Sequence, residues 1–324
     1  MDIYVKKAII HQFSPDDTDL YLADKFLNIT PKIEEYLRKK IERVYSDEAR
    51  TGIFEEDNPF LEMISDDLLE TSVAVANRWK EEFVVSENQK TNDLVFIQFS
   101  KEGVDHFAFL RIALRETLTH LGGEVDNPIK LTQNNLPGFG TGADEALVIN
   151  LQSRKYHLIE KRIKYNGTFL NYFSENLLQA QPKISPKKSI KALEKTAQKI
   201  AESFNTDDFQ FQSKVKSAIF NHIEEENKLF PEKLANDLFD DNLTARLSFI
   251  DQVKEAVPEP VTFEEIDASR QLKKFENQKL SLSNGIELIV PNNVYEDAES
   301  VEFILNENGT YSILIKNIED IQSK

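Results

Sequence analysis

"DLVFIQFSKEGVDHFAFLRIALRE", residues 93–116, sets two apolar-rich runs on either side of a short polar break. Branched and aromatic side chains dominate both runs, as they do in strands. The reading is a β-hairpin, with a first strand near residues 94–99, a turn at 101–103 and a second strand from about residue 105. Strand signals continue on both sides of it. "IYVKKAIIHQF" (3–13) alternates, "SPDD" (14–17) is a turn, and "DLYLADKFLNI" (19–29) reads as a second strand. Downstream, "EALVINLQSRKYHLIEKRIKY" (145–165) supplies more strand after the loop "NNLPGFGTGADE" (134–145).

Helices interrupt and then replace this pattern. Thr30 is a natural N-cap with Pro31 at the first helical position, and Ile33, Tyr36, Leu37, Ile41 and Val44 keep helical spacing. A second helix is expected over about residues 60–83, carrying the single tryptophan, Trp79. After Tyr165 the apolar period changes from two to about 3.6. "GTFLNYFSENLL" (167–178) reads as a short helix, and further helices follow over 185–204, 207–227, 230–239 and 243–256. The chain ends in strands again. Asn284-Gly285 and Asn308-Gly309 each sit between alternating apolar runs, a strong hairpin signal. The expected fold class is α+β: a mixed N-terminal domain over 1–165, then over 166–324 a helical array followed by a small antiparallel sheet of two hairpins.

The 324 residues are 40% apolar, enough for a substantial core, and Gly and Pro are sparse. Cysteine is absent, which excludes disulfides, thiolate metal sites and cysteine nucleophiles. The start "MDIYVKKAIIHQF" lacks a signal-peptide core, and no apolar run is long enough to span a membrane, so a cytoplasmic protein is expected. Four Asn-x-Thr triplets, at Asn28, Asn166, Asn242 and Asn308, then count as chance matches.

No catalytic constellation emerges. Gly138, Gly140 and Gly142 follow a proline-containing loop and precede a strand, so they lack the strand-to-helix setting of a phosphate loop. The histidines at 11, 106, 120, 157 and 222 share no metal-ligand spacing. Asp237, Asp240 and Asp241 lack the glycine and terminal glutamate of a calcium loop, and no nucleophile elbow is present. Neither a cofactor nor a metal is expected, and the chain reads as non-enzymatic.

Charge is the informative feature. The net charge is −17. Residues 154–199, however, hold 11 basic and 3 acidic side chains, net +8, between flanks of −12 (1–153) and −13 (200–324). Within this block lies "SPKKSIKALEKTAQKIAESF", residues 185–204. At about 100° per residue, Lys191, Lys195 and Lys199 fall within about 60° of Lys188. Ile190, Leu193, Ala197, Ile200 and Phe204 occupy the opposite face, between about 120° and 200°. Lys187 and Lys188 lie in the first turn, where the helix dipole disfavours cations. Like charges three and four apart also repel. The bland reading of such a ridge is a solvated helix face. The functional reading is a phosphate-contacting surface, reinforced by a second basic patch at Arg154, Lys155, Lys161, Arg162 and Lys164. If that patch starts as a strand, Arg154, Tyr156 and Leu158 share one face, and Lys155, His157 and Ile159 the other.

The order of features resembles the 37-kDa nucleoid-associated protein family of bacteria, the YejK/NdpA type. The resemblance is carried by "AIIHQF" (8–13), "FLRIALRETL" (109–118), the junction "SRKYHLIEKRIKYNGTFLNYF" (153–173), and the late "FIDQVKEA…VTFEEID" stretch followed by hairpins ending in "SILIKNI". It extends over essentially the full length. It implies a cytoplasmic protein at the nucleoid, DNA binding and no catalysis, and it maps no binding motif onto particular residues. The site expected from charge alone is therefore Arg154, Lys155, Lys161, Arg162, Lys164, Lys187, Lys188, Lys191, Lys195 and Lys199. The expected partner is double-stranded DNA, met through its phosphates. The alternative is an adaptor whose acidic flanks bind another DNA-acting protein. A homodimer is compatible with either, and no membrane is involved.

Overall fold

A computed structural model describes residues 2–16, 19–83, 90–120, 129–204, 209–263 and 265–322. The chain divides into two units, 1–185 and 186–324. The division falls later than the expected boundary at residue 165, because 166–185 packs with the first unit. Tyr172, Phe173, Leu177 and Leu178 are buried beside Phe96, Phe109 and Trp79.

In chain order the first unit holds β1 (Ile3–Ser14), β2 (Asp19–Tyr21), α1 (Pro31–Glu42), β3 (Arg50–Ile53), α2 (Pro59–Glu62), α3 (Leu68–Phe83), β4 (Asn92–Lys101), β5 (Val104–Ala113), β6 (Arg115–His120), β7 (Ile129–Asn135), β8 (Glu145–Asn150), β9 (Lys155–Ile159), β10 (Ile163–Tyr165) and β11 (Thr168–Leu170). A π-turn at Phe173–Leu177 follows. Seven strands form one sheet in the order β2-β1-β4-β5-β8-β9-β3, every neighbour antiparallel. The hairpin expected at 93–116 is β4–β5, at the sheet's centre. Its two-residue turn puts Glu102 at φ 52° and Gly103 at φ 82°, the left-handed pair that matches strand twist.

Both faces of the sheet are covered, which is why β4, β5 and β8 are buried almost throughout. On one face Phe13, Phe96, Phe109, Leu147 and Leu158 pack against Val75, Trp79 and Phe83 of α3. On the other, Val5, Val95, Ile97, Leu110 and Val148 pack against Leu37 and Ile41 of α1. Gly52 in β3 lies against Tyr156 of the α3-side core, leaving no room there for a Cβ.

Several elements differ from expectation. The strand expected at 19–29 pairs only over Asp19–Tyr21, after which the chain is held by a Leu27 N–H to Ala8 C=O bond of 2.8 Å. The helix expected over 60–83 is broken. Ser65 and Asp67 hydrogen-bond within the break, and the Asp67 carboxylate accepts from the Leu69 N–H at 2.8 Å, starting α3 afresh. The short helix expected at 167–178 forms only over its second half, as the π-helical turn at Phe173–Leu177, and its first half is β11. Asn166 at φ 47° and Gly167 at φ 78° turn the chain back, so that β11 pairs with β10.

His11 shows how burial couples to protonation. Its Nδ1 accepts from the Ala23 N–H at 3.0 Å. Its Nε2 meets Ser72 Oγ at 2.9 Å, and that hydroxyl donates to the Leu69 carbonyl. The ring is therefore neutral with its proton on Nε2, and burial lowers its pKa below the ordinary 6.5. The unfolded chain takes up this proton before the folded one does. Stability from His11 is thus intact above about pH 6.5 and is lost as the pH falls through the folded value. Denaturant unfolding at about pH 7.5 and 5.5 should show a loss of stability on acidification that is smaller in His11→Gln. Equal losses in both proteins would remove His11 from the account.

The second unit holds α4 (Pro186–Ser203), α5 (Phe209–Glu226), β12 (Lys228–Leu229), α6 (Pro231–Leu238), α7 (Leu243–Ala256), β13 (Val261–Thr262), α8 (Glu265–Phe275), β14 (Asn277–Ser281), β15 (Glu287–Pro291), α9 (Asn292–Tyr295), β16 (Val301–Leu305) and β17 (Tyr311–Ile315). The helices enclose one core, including Leu193, Ala197, Ile219, Leu234, Phe249 and Ala268. The expected hairpins form at the predicted turns, with Gly285 at φ 86° and Gly309 at φ 79°. Each closes as its own two-stranded sheet. Buried amides fasten the first of them: Gln278 Nε2 donates to the Ser213 carbonyl at 3.2 Å and to Asn292 Oδ1 at 2.8 Å.

Candidate nucleic-acid interface

Helix α4 begins at Pro186, whose fixed φ and missing N–H suit a first turn. Ile190, Leu193, Ala197 and Ile200 are buried in the helical core. Lys187, Lys188, Lys191, Lys195 and Lys199 are all exposed. The ridge expected from periodicity therefore exists as a solvent-facing row. Lys199 Nζ donates to Gln252 Oε1 on α7 at 3.2 Å, a neutral partner that leaves its charge uncompensated. Lys188, Lys191 and Lys195 form no ion pair among the described residues. Beside the row, Glu194 is partly buried. Burial raises its carboxyl above the ordinary range, against the pull of Lys274, Lys216 and Lys191. Lys216 on α5 and Lys274 on α8 are thus neighbours of the ridge that no sequence pattern announced.

The second basic patch lies on the first unit and is less coherent. Arg154 occupies the turn between β8 and β9 at φ 60°, and its guanidinium pairs with Glu56 at 3.1 Å. Lys161 pairs with Asp144 at 2.6 Å. Arg162 Nε donates to Asn171 Oδ1 at 3.3 Å. Lys155 and Lys164 are exposed. Lys155 opens β9 and Lys161 follows its far end, so the strand holds them roughly 20 Å apart. Tyr156 and His157, the aromatic members of the expected patch, do not face solvent. Tyr156 is buried against Phe54 and His157 against Tyr45, because the sheet is covered on both faces.

The glycine-rich loop is held by the protein's own cation. Lys40, buried at the end of α1, donates from Nζ to the carbonyls of Gly138 at 2.9 Å and Thr141 at 2.5 Å. The loop thus turns carbonyl oxygens inward, the reverse of the N–H cradle that a phosphate needs. Burial, with Arg43 and Arg115 nearby, lowers the Lys40 pKa to about 8. Lys40→Met should cost about 1–3 kcal/mol of stability by stranding these carbonyls, measured by urea denaturation at neutral pH. A change within experimental error would show that water replaces the ammonium at no cost.

An open cleft of about 570 Å³ is lined by Arg78, Glu82, Glu175 and Asn176 among others. Its polar groups satisfy each other: Arg78 pairs with Glu82 at 2.8 Å, and Asn176 Nδ2 donates to Glu82 at 2.8 Å. Among the described residues, no three His, Cys, Asp or Glu side chains converge as a metal site. No described helix is long and apolar enough to cross a membrane.

A comparison with protein families matches residues 9–321 to the family described as nucleoid-associated protein YejK. The chain belongs to this family. No curated protein matches it in sequence.

Proposed function

We propose that the protein binds double-stranded DNA at the bacterial nucleoid, in the cytoplasm, without catalysis, by laying the α4 ridge along the phosphate backbone. One observation carries this reading: five lysines on one helix are exposed together, opposite a fully buried apolar face, in a chain of net charge −17. The ammonium groups of Lys188, Lys191 and Lys195, which form no ion pair among the described residues, repel one another, and polyanion binding relieves that repulsion. The acidic flanks repel DNA elsewhere and restrict contact to this face. Phosphate contacts position a protein without reading bases, so little sequence preference is expected. Lys155, Arg162 and Lys164 remain outlying contacts. Arg154 and Lys161, each already paired with a carboxylate, would have to exchange partners and contribute less.

A second reading rests on the acidity itself. Flanks of −12 and −13 can steer a basic DNA-acting protein, so that the chain reaches the nucleoid as an adaptor. A pull-down from lysate with and without nuclease separates the two. Direct binding predicts that co-purifying nucleoid proteins vanish after nuclease, and that purified protein shifts duplex DNA unaided. Partners that survive nuclease, with no shift by the purified protein, would replace direct binding by the adaptor.

A further inference from the structure

The last hairpin, β16–β17, is seated by one face only. Cross-strand partners share a face, so Phe303, Ile313 and Tyr311 lie on one side, and Ile304, Ser312 and Leu314 on the other. On the first side the Phe303 and Tyr311 rings each meet Phe209 of α5, 5.1 Å between centroids. The second side is open, with Ile304 and Leu314 exposed. The edges are open as well, because among the described residues the two strands pair only with each other. The ladder fixes which backbone groups face outward. The Lys316 N–H donates to the Ser300 carbonyl at 2.9 Å, and the Asn306 N–H to the Thr310 carbonyl at 2.8 Å. Hydrogen-bonded and non-bonded pairs alternate between these two ends, so the N–H and C=O groups of Tyr311, Ile313 and Ile315 point away from β16. The N–H groups of these three residues have no partner among the described residues.

Proteins guard exposed edges with lysine, proline or a bulge. Strand β17 (YSILI) has no lysine and no proline, and its register with β16 is unshifted. An uncharged, branched segment of this kind accepts any strand, a second copy included. The surrounding charge removes that option. Residues 296–322 hold seven acids against one base, Lys316, and that base is paired with Glu302 at 2.6 Å. Two copies meeting edge to edge would bring these acids together, whereas a basic chain is drawn in.

We propose that the free edge of β17 is a docking site for a partner protein, which adds an extended segment of alternating apolar and basic residues as a third strand. Backbone bonds to Tyr311, Ile313 and Ile315 hold the segment. Its apolar side chains continue the open face at Leu314, and the acids around the hairpin select positive charge. This deepens the adaptor reading, on which it rests for a basic partner, and it is independent of DNA contact by α4.

The test is binding of labelled synthetic peptides to the full chain at low salt, read by fluorescence anisotropy. One peptide alternates valine and lysine, a second has the same composition in two blocks, and a third alternates valine and glutamate. The variants are Ile313→Pro and Glu307→Lys/Glu319→Lys, each checked by thermal unfolding. Proline at an outward-facing edge position removes one docking N–H and spares the ladder to β16. Glu307 and Glu319 are exposed and lie outside the strands. Only the alternating basic peptide should bind. Ile313→Pro should weaken it about tenfold, and the charge variant should weaken it several-fold, most strongly at low salt. No binding by wild type, equal binding of the block peptide, or unchanged binding by a folded Ile313→Pro overturns the proposal. Should Ile313→Pro not fold, unchanged affinity in the charge variant overturns it instead. Partners that survive nuclease and are retained equally by wild type and a folded Ile313→Pro would keep the adaptor reading on another surface and overturn the edge.

Discussion

Arg111→Met is expected to lower the unfolding free energy by about 3–5 kcal/mol. Arg111 lies in β5 and Glu145 in β8, where the two pair across the centre of the sheet. Both are buried, and Arg111 Nε donates to Glu145 Oε2 at 2.5 Å. The same carboxylate accepts from the Tyr172 hydroxyl and, through Oε1, from the Lys161 N–H at 3.2 Å. Tyr172 in turn accepts from Trp79 Nε1 at 3.0 Å, and Arg111 Nη1 donates to Asn92 Oδ1 at 2.8 Å. The guanidinium also lies over the Phe83 ring, 5.2 Å from its centre. Removing it leaves an ionised carboxylate without a counter-ion in a dry interior, and such a group must take up a proton or admit water. Arg111→Met/Glu145→Gln should recover part of the loss, because the stranded charge goes with its partner. Urea denaturation of both variants reads this directly. A loss below about 1 kcal/mol in the single variant, or a double variant as unstable as the sum of the singles, would show that the pair is not the keystone of this sheet.

Changing Lys188, Lys191, Lys195 and Lys199 together to glutamine is expected to abolish most DNA affinity while leaving the fold intact. With four fewer ammonium groups on phosphate, the magnitude of the salt slope should fall by about 3–4 units, and binding at about 0.1 M salt should weaken by roughly a thousandfold or more. The fold should survive because all four side chains are exposed, whereas Ile190, Leu193, Ala197 and Ile200 keep the helix seated. Glutamine is nearly as good a helix former as lysine, and relief of like-charge repulsion stabilises α4 slightly. The Lys199–Gln252 hydrogen bond is exposed, so its removal costs the fold little. The paired readout is the melting temperature and DNA binding of the same variant. Unchanged binding by a folded protein would return the row to a solvated helix face.

Local rules were legible wherever one segment held the whole signal. The hairpin at 93–116 and the turns at Asn284-Gly285 and Asn308-Gly309 could be read because the strands and the left-handed turn residues are contiguous. The α4 ridge could be read because one helix carries both its lysines and its buried face. Long-range partners were not legible. Arg154 and Lys161 look like free cations in sequence, but Glu56 and Asp144 reach them through the fold. Tyr156 and His157 alternate like a half-exposed strand, yet a second layer covers the outer face as well. Lys216 and Lys274, on α5 and α8, come within electrostatic reach of Glu194 only through the fold. The segment 167–178 carries helical apolar spacing, and in its first half the Asn166-Gly167 turn overrode it. Strand β3, four residues with a glycine, offered too little pattern to register.

The most direct measurement is the equilibrium constant of the full-length protein for duplex DNA as a function of salt. The ridge account predicts a straight fall of log K against log salt with a slope of about −4 or steeper, set by five exposed lysines at roughly 0.9 each. A slope near zero, or no binding at low salt, would contradict it.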